Sequence, residues 1–520
     1  MNAMTDVSAG TAHALTRRLA APVDLLTLYS ALSDDGRRPD TMLFETTAGA
    51  SILMDRAAAR ITCRGPEVAV ESLSAGGTAV LQIIERALGA VVIERAPDRL
   101  RLHFERRSDV DLQLKLVAPS PFDALRAILG SIRNQTPEEP FALCLAGIVA
   151  FDHVDLFEEL PQPAADPIGF PDFIFWLAEA AIISEPGLLP RLVSTYFDGG
   201  NEGETRQSHF AAVERLADLG RCVEADFRNS PACAVPLQSP AEVAVDLDDD
   251  AFAETVARLK EHILAGDIYQ IVPSRTFTAP CVDPLSAFAR LRSIDRSPYM
   301  FFVKLTDSIS FGASPETSVR VLSENGQATV EVKPIAGTRP RGRDRDEDDR
   351  MEADLRLDQK EVAEHMMLVD LARNDVARIS EPGTRRVDRL MVVERYAKVM
   401  HLVSSVKGSL GRGLDTLHAL AACLNVGTLS GAPKRKATEL LRVYEPTRRG
   451  HYGGAIGWIN GNGLMDMGVV IRSALVKDGI AHVRAGAGIV HDSDPAAEAD
   501  ESRRKASAIL AAITGAGKGQ

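Results

Sequence analysis

Short apolar runs recur between residues 41 and 184: TMLFE, ARITCRG, EVAVESL, LRLHFE, PFALCLAGIVAFD and FIFWLAEAAIIS. Their length and their aliphatic and aromatic content mark them as strands, and turn-forming segments separate them. Two helices are predicted in the same half, in FDALRAILGSIRN and HFAAVERLADLGRCVEADF. So many strands need sheet partners for their backbone groups, so the expected class is mixed α and β. Pro231, Pro236 and Pro240, in RNSPACAVPLQSPAEVAVDLDDD, leave no helical or strand period and read as a linker. The expected organisation is an N-terminal region 1–228, a linker 229–246, a second region 247–512 and a flexible tail 513–520.

After the linker, Phe252, Val256, Leu259 and Ile263 form the apolar stripe of a helix ending near Gly266, and strand-like DIYQIVPSRTF follows. The 520 residues are 45% hydrophobic and 25% charged, as in ordinary globular proteins. A net charge of -13 argues against nucleic acid or an anionic membrane surface as the main partner. The six cysteines are scattered singly, which suits a reducing compartment and offers no zinc site. No apolar run approaches the roughly 18 residues of a membrane span. MNAMTDVSAGTAHALTRRLAAPVDLL lacks the order of a signal peptide, so a cytoplasmic location is expected.

The spacing E-x-x-E occurs twice in helical context, as Glu361 and Glu364 in DQKEVAEHMM and as Glu498 and Glu501 in DSDPAAEADESRRKA. Residues three apart share a helix face, where like charges repel by a few tenths of a kcal/mol. Each pair reads either as a solvated acidic face or as a carboxylate pair around a cation. Arg472 interrupts the apolar strand pattern of GLMDMGVVIRSALVKDG and must meet an anion, either a protein carboxylate or a substrate gripped by two hydrogen bonds. Gly486 and Gly488 allow close approach to the backbone. In GTLSGAPKRKATELL, Thr428 or Ser430 reads as the start of a helix with Pro433 in its first turn, whose amides can face an anion. His401 lies in apolar VMHLVS, and Tyr452 precedes two glycines. Together these features suit a small polycarboxylate bridged by Mg²⁺, which favours oxygen ligands and retains water.

The ordered set IYQIVPSR, SPYMFF, FGASPETS, KPIAGTRPRG, KEVAEHMMLVDLARND, VMHLVSS, GTLSGAPK, YGGAIGW, VIRSALV and AGAGIVHDSDPAAEADES resembles the chorismate-utilising enzymes. Within them it closely resembles the anthranilate synthase component I family, over 250–510 and more weakly through the N-terminal half. The resemblance implies an α/β (α+β) fold of large, mainly antiparallel sheets packed together with helices outside. It implies Mg²⁺ held by Glu364 and Glu501, with Glu361 and Glu498 assisting. Chorismate contacts fall on Gly337, Thr338, Tyr452, Arg472, Gly486, Ala487 and Gly488. Glu316 is the implied acid for the departing C4 hydroxyl and His401 contributes to elimination, with Gln270 and Thr428 completing the catalytic set.

Gln270 stands where water-using relatives carry a lysine base, and ammonia needs no base to be a nucleophile. Ala336 stands where aminodeoxychorismate synthases carry a nucleophilic lysine. The implied reaction is ammonia addition at C2 and loss of pyruvate to give anthranilate, the committed step of tryptophan biosynthesis. Two other readings are an aminodeoxyisochorismate synthase that stops before pyruvate loss and a non-catalytic chorismate- or tryptophan-binding regulator. No cysteine sits in a G-x-C-x-G elbow. The resemblance therefore implies a separate glutamine amidotransferase subunit (component II), in a heterotetramer with two copies of each chain. MLFETT, with Glu45 and Thr46, and RSPYMFF, with Pro298, Tyr299 and Met300, resemble motifs that sense L-tryptophan, with Thr46 in place of serine. Feedback inhibition is the implied consequence.

Overall fold

In the computed structural model, which describes residues 10–106, 112–161, 165–225, 242–396 and 399–515, the run FIFWLAEAAIIS is the strand Phe173–Ser184. Ser51–Arg64 pairs along one edge of it, and Cys144–Val149 and Arg191–Asp198 pair along the other. Over Phe173–Ala178 its side chains alternate between two cores. Phe173, Phe175 and Leu177 enter one, while Ile174, Trp176 and Ala178 enter the other. Burial on both faces explains its nearly unbroken apolar sequence. The remaining runs form Thr41–Thr46, Ser51–Arg64, Glu67–Ser72, Arg99–His103 and Cys144–Val149.

Among the described residues, 23 strands form one hydrogen-bonded network, and helices pack against it. Its ladders are antiparallel except that between Gly10–Arg18 and Ile132–Asn134. The expected mainly antiparallel α/β architecture is therefore what the chain adopts. Two ladders join the N-terminal stretch to the second half: Thr41–Thr46 with Tyr299–Lys304, and Cys144–Val149 with Ala455–Asn460. Phe44, Tyr299 and Phe301 accordingly share one core. The boundary read in the sequence is not a boundary in the sheet. Most of the expected linker lies outside the described residues, and its end, Ala244–Val245, already pairs with Phe277 and Thr278.

Local departures have local causes. The helix in FDALRAILGSIRN stops at Ser131, because Ile132–Asn134 adds as a strand to Gly10–Arg18. The next helix begins at Glu202, earlier than its apolar stripe, because the Asn201 side chain accepts from the Gly203 amide. The segment DIYQIVPSRTF divides into Gln270–Ile271 and Ser274–Pro280 around Pro273, which has no N–H to donate. The last helix, Pro495–Thr514, runs into the stretch expected as a tail, and 516–520 lie outside the described residues. Neither Thr428 nor Ser430 starts a helix. That helix is Lys434–Tyr444, entered through Pro433, and the Ser430 hydroxyl instead donates back to the Val426 carbonyl at 3.0 Å.

Tyr299 shows how the joined sheet is fastened. Its hydroxyl donates to Asp466 Oδ1 at 2.8 Å and lies 3.0 Å from Thr317 Oγ1, with all three groups in or beside the core. Tyr299→Phe removes a donor from a buried carboxylate and should destabilise the chain by about 1–3 kcal/mol. A urea titration should show a lower midpoint at unchanged slope, and an unchanged midpoint would contradict this role.

Candidate active site

The two acidic helices, Gln359–Ala377 and Pro495–Thr514, meet at one cavity of about 620 Å³. The first packs against Ile335–Pro340 and Val399–Ser409, and the second against Ile480–Gly486. Glu361, Glu364, Glu498 and Glu501 all line the cavity. Burial raises the pKa of Glu364, and the neighbouring Glu361 and Glu501 raise it further. Glu498 is also raised by burial, with Glu501 adding to the effect. Burial pushes Glu501 upward too, but Lys505 at 2.7 Å outweighs it and holds the carboxyl below its usual value. Glu361 meets Arg339 at 3.2 Å. The repulsion expected for two acidic pairs is therefore present and only partly relieved.

Arg472 is not a strand residue, as its surroundings in the sequence suggested. It sits at the break between Met465–Val469 and Ser473–Lys477, with φ at 50°. Left-handed backbone at a non-glycine residue costs energy and persists only where its surroundings impose it. The guanidinium faces the cavity, where Nη1 donates to the Lys505 carbonyl at 3.2 Å, and among the described residues it makes no ion pair. Of the two anions expected for it, the protein carboxylate is absent. Burial lowers its pKa, although Asp295, Tyr452 and Glu501 oppose the shift.

Glu316 lines the same cavity, where burial pushes its carboxyl up to about 7 although Thr428 Oγ1 donates to it at 2.6 Å. A carboxyl titrating there can act as an acid near neutral pH. His401 Nδ1 lies 3.0 Å from the Gly337 carbonyl and 3.0 Å from Thr338 Oγ1. A carbonyl only accepts, so Nδ1 carries the proton and Nε2 keeps the lone pair. Burial lowers the His401 pKa against the pull of that hydrogen bond, which keeps the ring neutral. The Gln270 amide donates to Glu364 at 3.4 Å, and a Cβ on Gly488 would stand 3.1 Å from Gln270 Nε2. Gly337 has φ of 74°, and a Cβ there would reach Glu361 Oε2 at 3.2 Å. Tyr452 and Gly486 complete the walls.

A family profile described as chorismate binding enzyme matches residues 91–511. Anthranilate synthase component 1 of Vibrio cholerae serotype O1 is 44% identical over 481 residues, covering 90% of this chain and 89% of the relative. That of Escherichia coli K12 is 42% identical over 514 residues, covering 94% of this chain and 97% of the relative. The chain belongs to the anthranilate synthase component 1 family of chorismate-binding enzymes. The crystal structure of anthranilate synthase component I from Streptococcus pneumoniae TIGR4 superposes with a TM-score of 0.70 at 30% identity, covering 90% of this chain and 93% of that one. The menaquinone-specific isochorismate synthase of Escherichia coli, at 18% identity and a TM-score of 0.66, shares the fold.

One residue expected in this family's chorismate site lies elsewhere. The Ala487 methyl is buried in a core with Phe252 and Ile489, and its amide donates to the Pro273 carbonyl at 3.2 Å, so neither group faces the cavity. Lys505 was missed, although it follows Glu501 by four residues and Glu498 by seven and so must share their helix face. Among the described residues, no three His, Cys, Asp or Glu side chains are already gathered as a metal cage. The donor set nonetheless fits Mg²⁺, which takes one or two carboxylates and keeps several waters.

At the N-terminal seam Thr46 lies opposite Tyr299 and Glu45 opposite Met300, while Pro298 accepts from the Thr47 amide. Cross-strand partners share a face and successive residues alternate, so the expected tryptophan contacts divide between the two sides of the sheet. Tyr299 is committed to Asp466, and Met300 packs with Phe302 and Phe311. The side chains of all five residues therefore do not surround a single ligand. Glu45 is open on one side. Oε1 accepts from Arg292 at 2.8 Å, whereas buried Oε2 has no hydrogen-bond partner among the described residues.

Because the Glu316 pKa is raised on folding, its cost to stability is absent below about pH 4.5 and complete once pH passes about 7. Glu316→Gln should therefore be more stable than the wild type at pH 8, by roughly 3 kcal/mol at most, and the advantage should shrink as pH falls toward 5. Thr428→Val, which removes support for the ionised form, should raise the Glu316 pKa further in an infrared carboxyl titration. A Glu316 that ionises near its ordinary value in both chains would contradict the assignment.

Proposed function

We propose that this chain is the large subunit of an anthranilate synthase, a lyase converting chorismate and ammonia to anthranilate, pyruvate and water. The observation that carries the reading is Gln270. Its amide, which is no base, stands in the cavity where water-using relatives carry a lysine, in keeping with a nucleophile that arrives already able to attack. Arg472 binds a substrate carboxylate. Protonated Glu316 donates to the departing C4 hydroxyl as ammonia adds at C2, and the Thr428 hydroxyl holds that carboxyl in place. Neutral His401, with Nε2 free, takes the C2 proton while the enolpyruvyl group leaves and the ring becomes aromatic. Gly337, Thr338, Tyr452, Gly486 and Gly488 shape the substrate's surroundings. Glu364 and Glu501 would hold Mg²⁺, with Glu361 and Glu498 assisting, and the bound ion would neutralise a substrate carboxylate beside them.

Ammonia comes from glutamine through a separate amidotransferase subunit, in keeping with the component 1 naming of the relatives. With chorismate, Mg²⁺ and ammonium at alkaline pH, the isolated chain should form anthranilate fluorescence and pyruvate in equal amounts, and glutamine alone should not substitute. An amine intermediate without pyruvate would overturn the reading. Glu364→Gln should lose turnover by roughly tenfold or more at limiting Mg²⁺, and normal turnover would remove Glu364 from the metal's ligands.

L-Tryptophan inhibits by binding on the side of the Thr41–Thr46 and Tyr299–Lys304 seam that Glu45 and Met300 share, favouring a state with a poor chorismate site. Linkage requires that chorismate weaken tryptophan binding by the same factor. Calorimetry on a catalytically dead variant should show tryptophan affinity falling as chorismate is added, and Met300→Thr should relieve inhibition with little loss of catalysis. A tryptophan affinity indifferent to chorismate would defeat the regulatory reading.

A further inference from the structure

Arg449 is 4% exposed and does not line the chorismate cavity, yet three residues that do, Leu429, Val272 and Tyr452, meet its guanidinium. Nη1 donates to the Leu429 carbonyl at 2.6 Å, and Nη2 donates to the Val272 carbonyl at 2.6 Å. Leu429 follows Thr428, whose hydroxyl donates to Glu316. Val272 lies two residues beyond Gln270, and its amide donates to the Ser430 carbonyl at 3.1 Å. Arg449 thus closes the end of the short ladder that Gln270–Ile271 makes with Gly431–Ala432. The guanidinium carbon also stands 5.7 Å from the centre of the Tyr452 ring and 4.3 Å from that of Phe151, within cation–π range of both.

Buried Glu445 fixes the guanidinium in turn. Its Oε1 accepts from Arg449 Nη2 at 2.6 Å and its Oε2 from Arg449 Nε at 2.8 Å, a two-pronged pair. Arg484, which lines the cavity, donates to Oε2 at 3.0 Å. The Ser274 amide and hydroxyl donate to Oε1 at 2.9 and 2.7 Å. Burying such a pair costs the hydration of both ions, and apolar replacements are often neutral or stabilising, so stability is a weak reason for it. The geometry supplies a stronger one. A guanidinium carries five N–H groups in a fixed plane, and here that plane spans a carboxylate and two backbone carbonyls at once. A lysine ammonium, a point charge on a flexible stem, does not reproduce it.

We infer that Arg449 is a positioning residue for the reaction, holding Thr428 against Glu316 and keeping the Gln270 segment and the Tyr452 ring in fixed relation to them. It does not reach the cavity, so it acts only through the residues it holds. The inference rests on the reading of this cavity as the site of an anthranilate synthase.

Arg449→Lys tests it, because that variant keeps the buried charge and loses the planar fork. In the folded full-length chain, kcat with chorismate, Mg²⁺ and ammonium should fall by roughly tenfold or more, since small misplacements of reacting groups cost that much. The Glu316 carboxyl, followed by infrared titration, should ionise about one pH unit higher as Thr428 loses its hold on the charged form. Adding Arg449→Lys to Thr428→Val should then move it little further, because both changes remove the same hydrogen bond. A Glu316 that titrates in Arg449→Lys as in the wild type, or a shift that adds in full to that of Thr428→Val, would overturn the inference. If the lysine variant does not fold, Arg449→Met combined with Glu445→Gln gives the same test, since it leaves the net charge of the cluster unchanged and no carboxylate bare. The titration needs no turnover. The same shifts in a chain whose wild type forms no anthranilate would uphold the positioning of Glu316 and overturn the functional reading instead.

Discussion

Bringing four carboxylates to one cavity of about 620 Å³ sets an electrostatic problem that the surrounding structure is arranged to contain. Two long helices carry the pairs, and each is seated on the sheet, so the carboxylates cannot simply drift apart. Arg339 takes Glu361 while also holding Asp354 and Asp358, and Lys505 takes Glu501. Among the described residues Glu364 and Glu498 make no ion pair, and both keep a raised pKa. Arg472 lines the same cavity and makes no ion pair among the described residues. Unmet demands of both signs remain, and a divalent ion together with a polycarboxylate substrate would satisfy them.

The shared sheet gives the proposed regulation a physical route. Thr46 lies opposite Tyr299, whose hydroxyl meets Thr317, and Thr317 follows the candidate acid Glu316 in the chain. Asp466, the other partner of Tyr299, is on the strand that leads to the kink at Arg472. A displacement at the N-terminal seam would reach both Glu316 and Arg472 through a few hydrogen bonds. Coupling of this kind needs two discrete arrangements of the seam, which is why effector and substrate are expected to oppose each other.

Much of this was legible in the sequence because it rests on periodicity and local chemistry. The apolar runs became strands, and E-x-x-E placed both glutamates of each pair at one cavity because i and i+3 share a face. What was not legible depends on long-range geometry. The cross-pairing of Thr41–Thr46 with Tyr299–Lys304 joins segments more than 250 positions apart, and no local pattern signals it. The kink at Arg472 was hidden because an apolar stretch of that length reads as one strand. Ala487 followed the glycines on either side of it into the site list, yet its side chain points into a core. Local pattern read Thr428 only as a cap, the resemblance placed it in the catalytic set, and its hydroxyl donates to Glu316, a partner 112 residues away.

The central claim is that the acidic helices and Arg472 form one binding unit in which a divalent ion and a dicarboxylate complete each other's charge. Isothermal titration of chorismate into a Glu316→Gln chain without ammonia, at a series of Mg²⁺ concentrations, tests it most directly. Chorismate affinity should rise with Mg²⁺, and Mg²⁺ affinity should rise by the same factor with chorismate, with both effects lost in the further variant Glu364→Gln. Chorismate binding that is tight and indifferent to Mg²⁺, or a coupling untouched by loss of the Glu364 charge, would contradict the account.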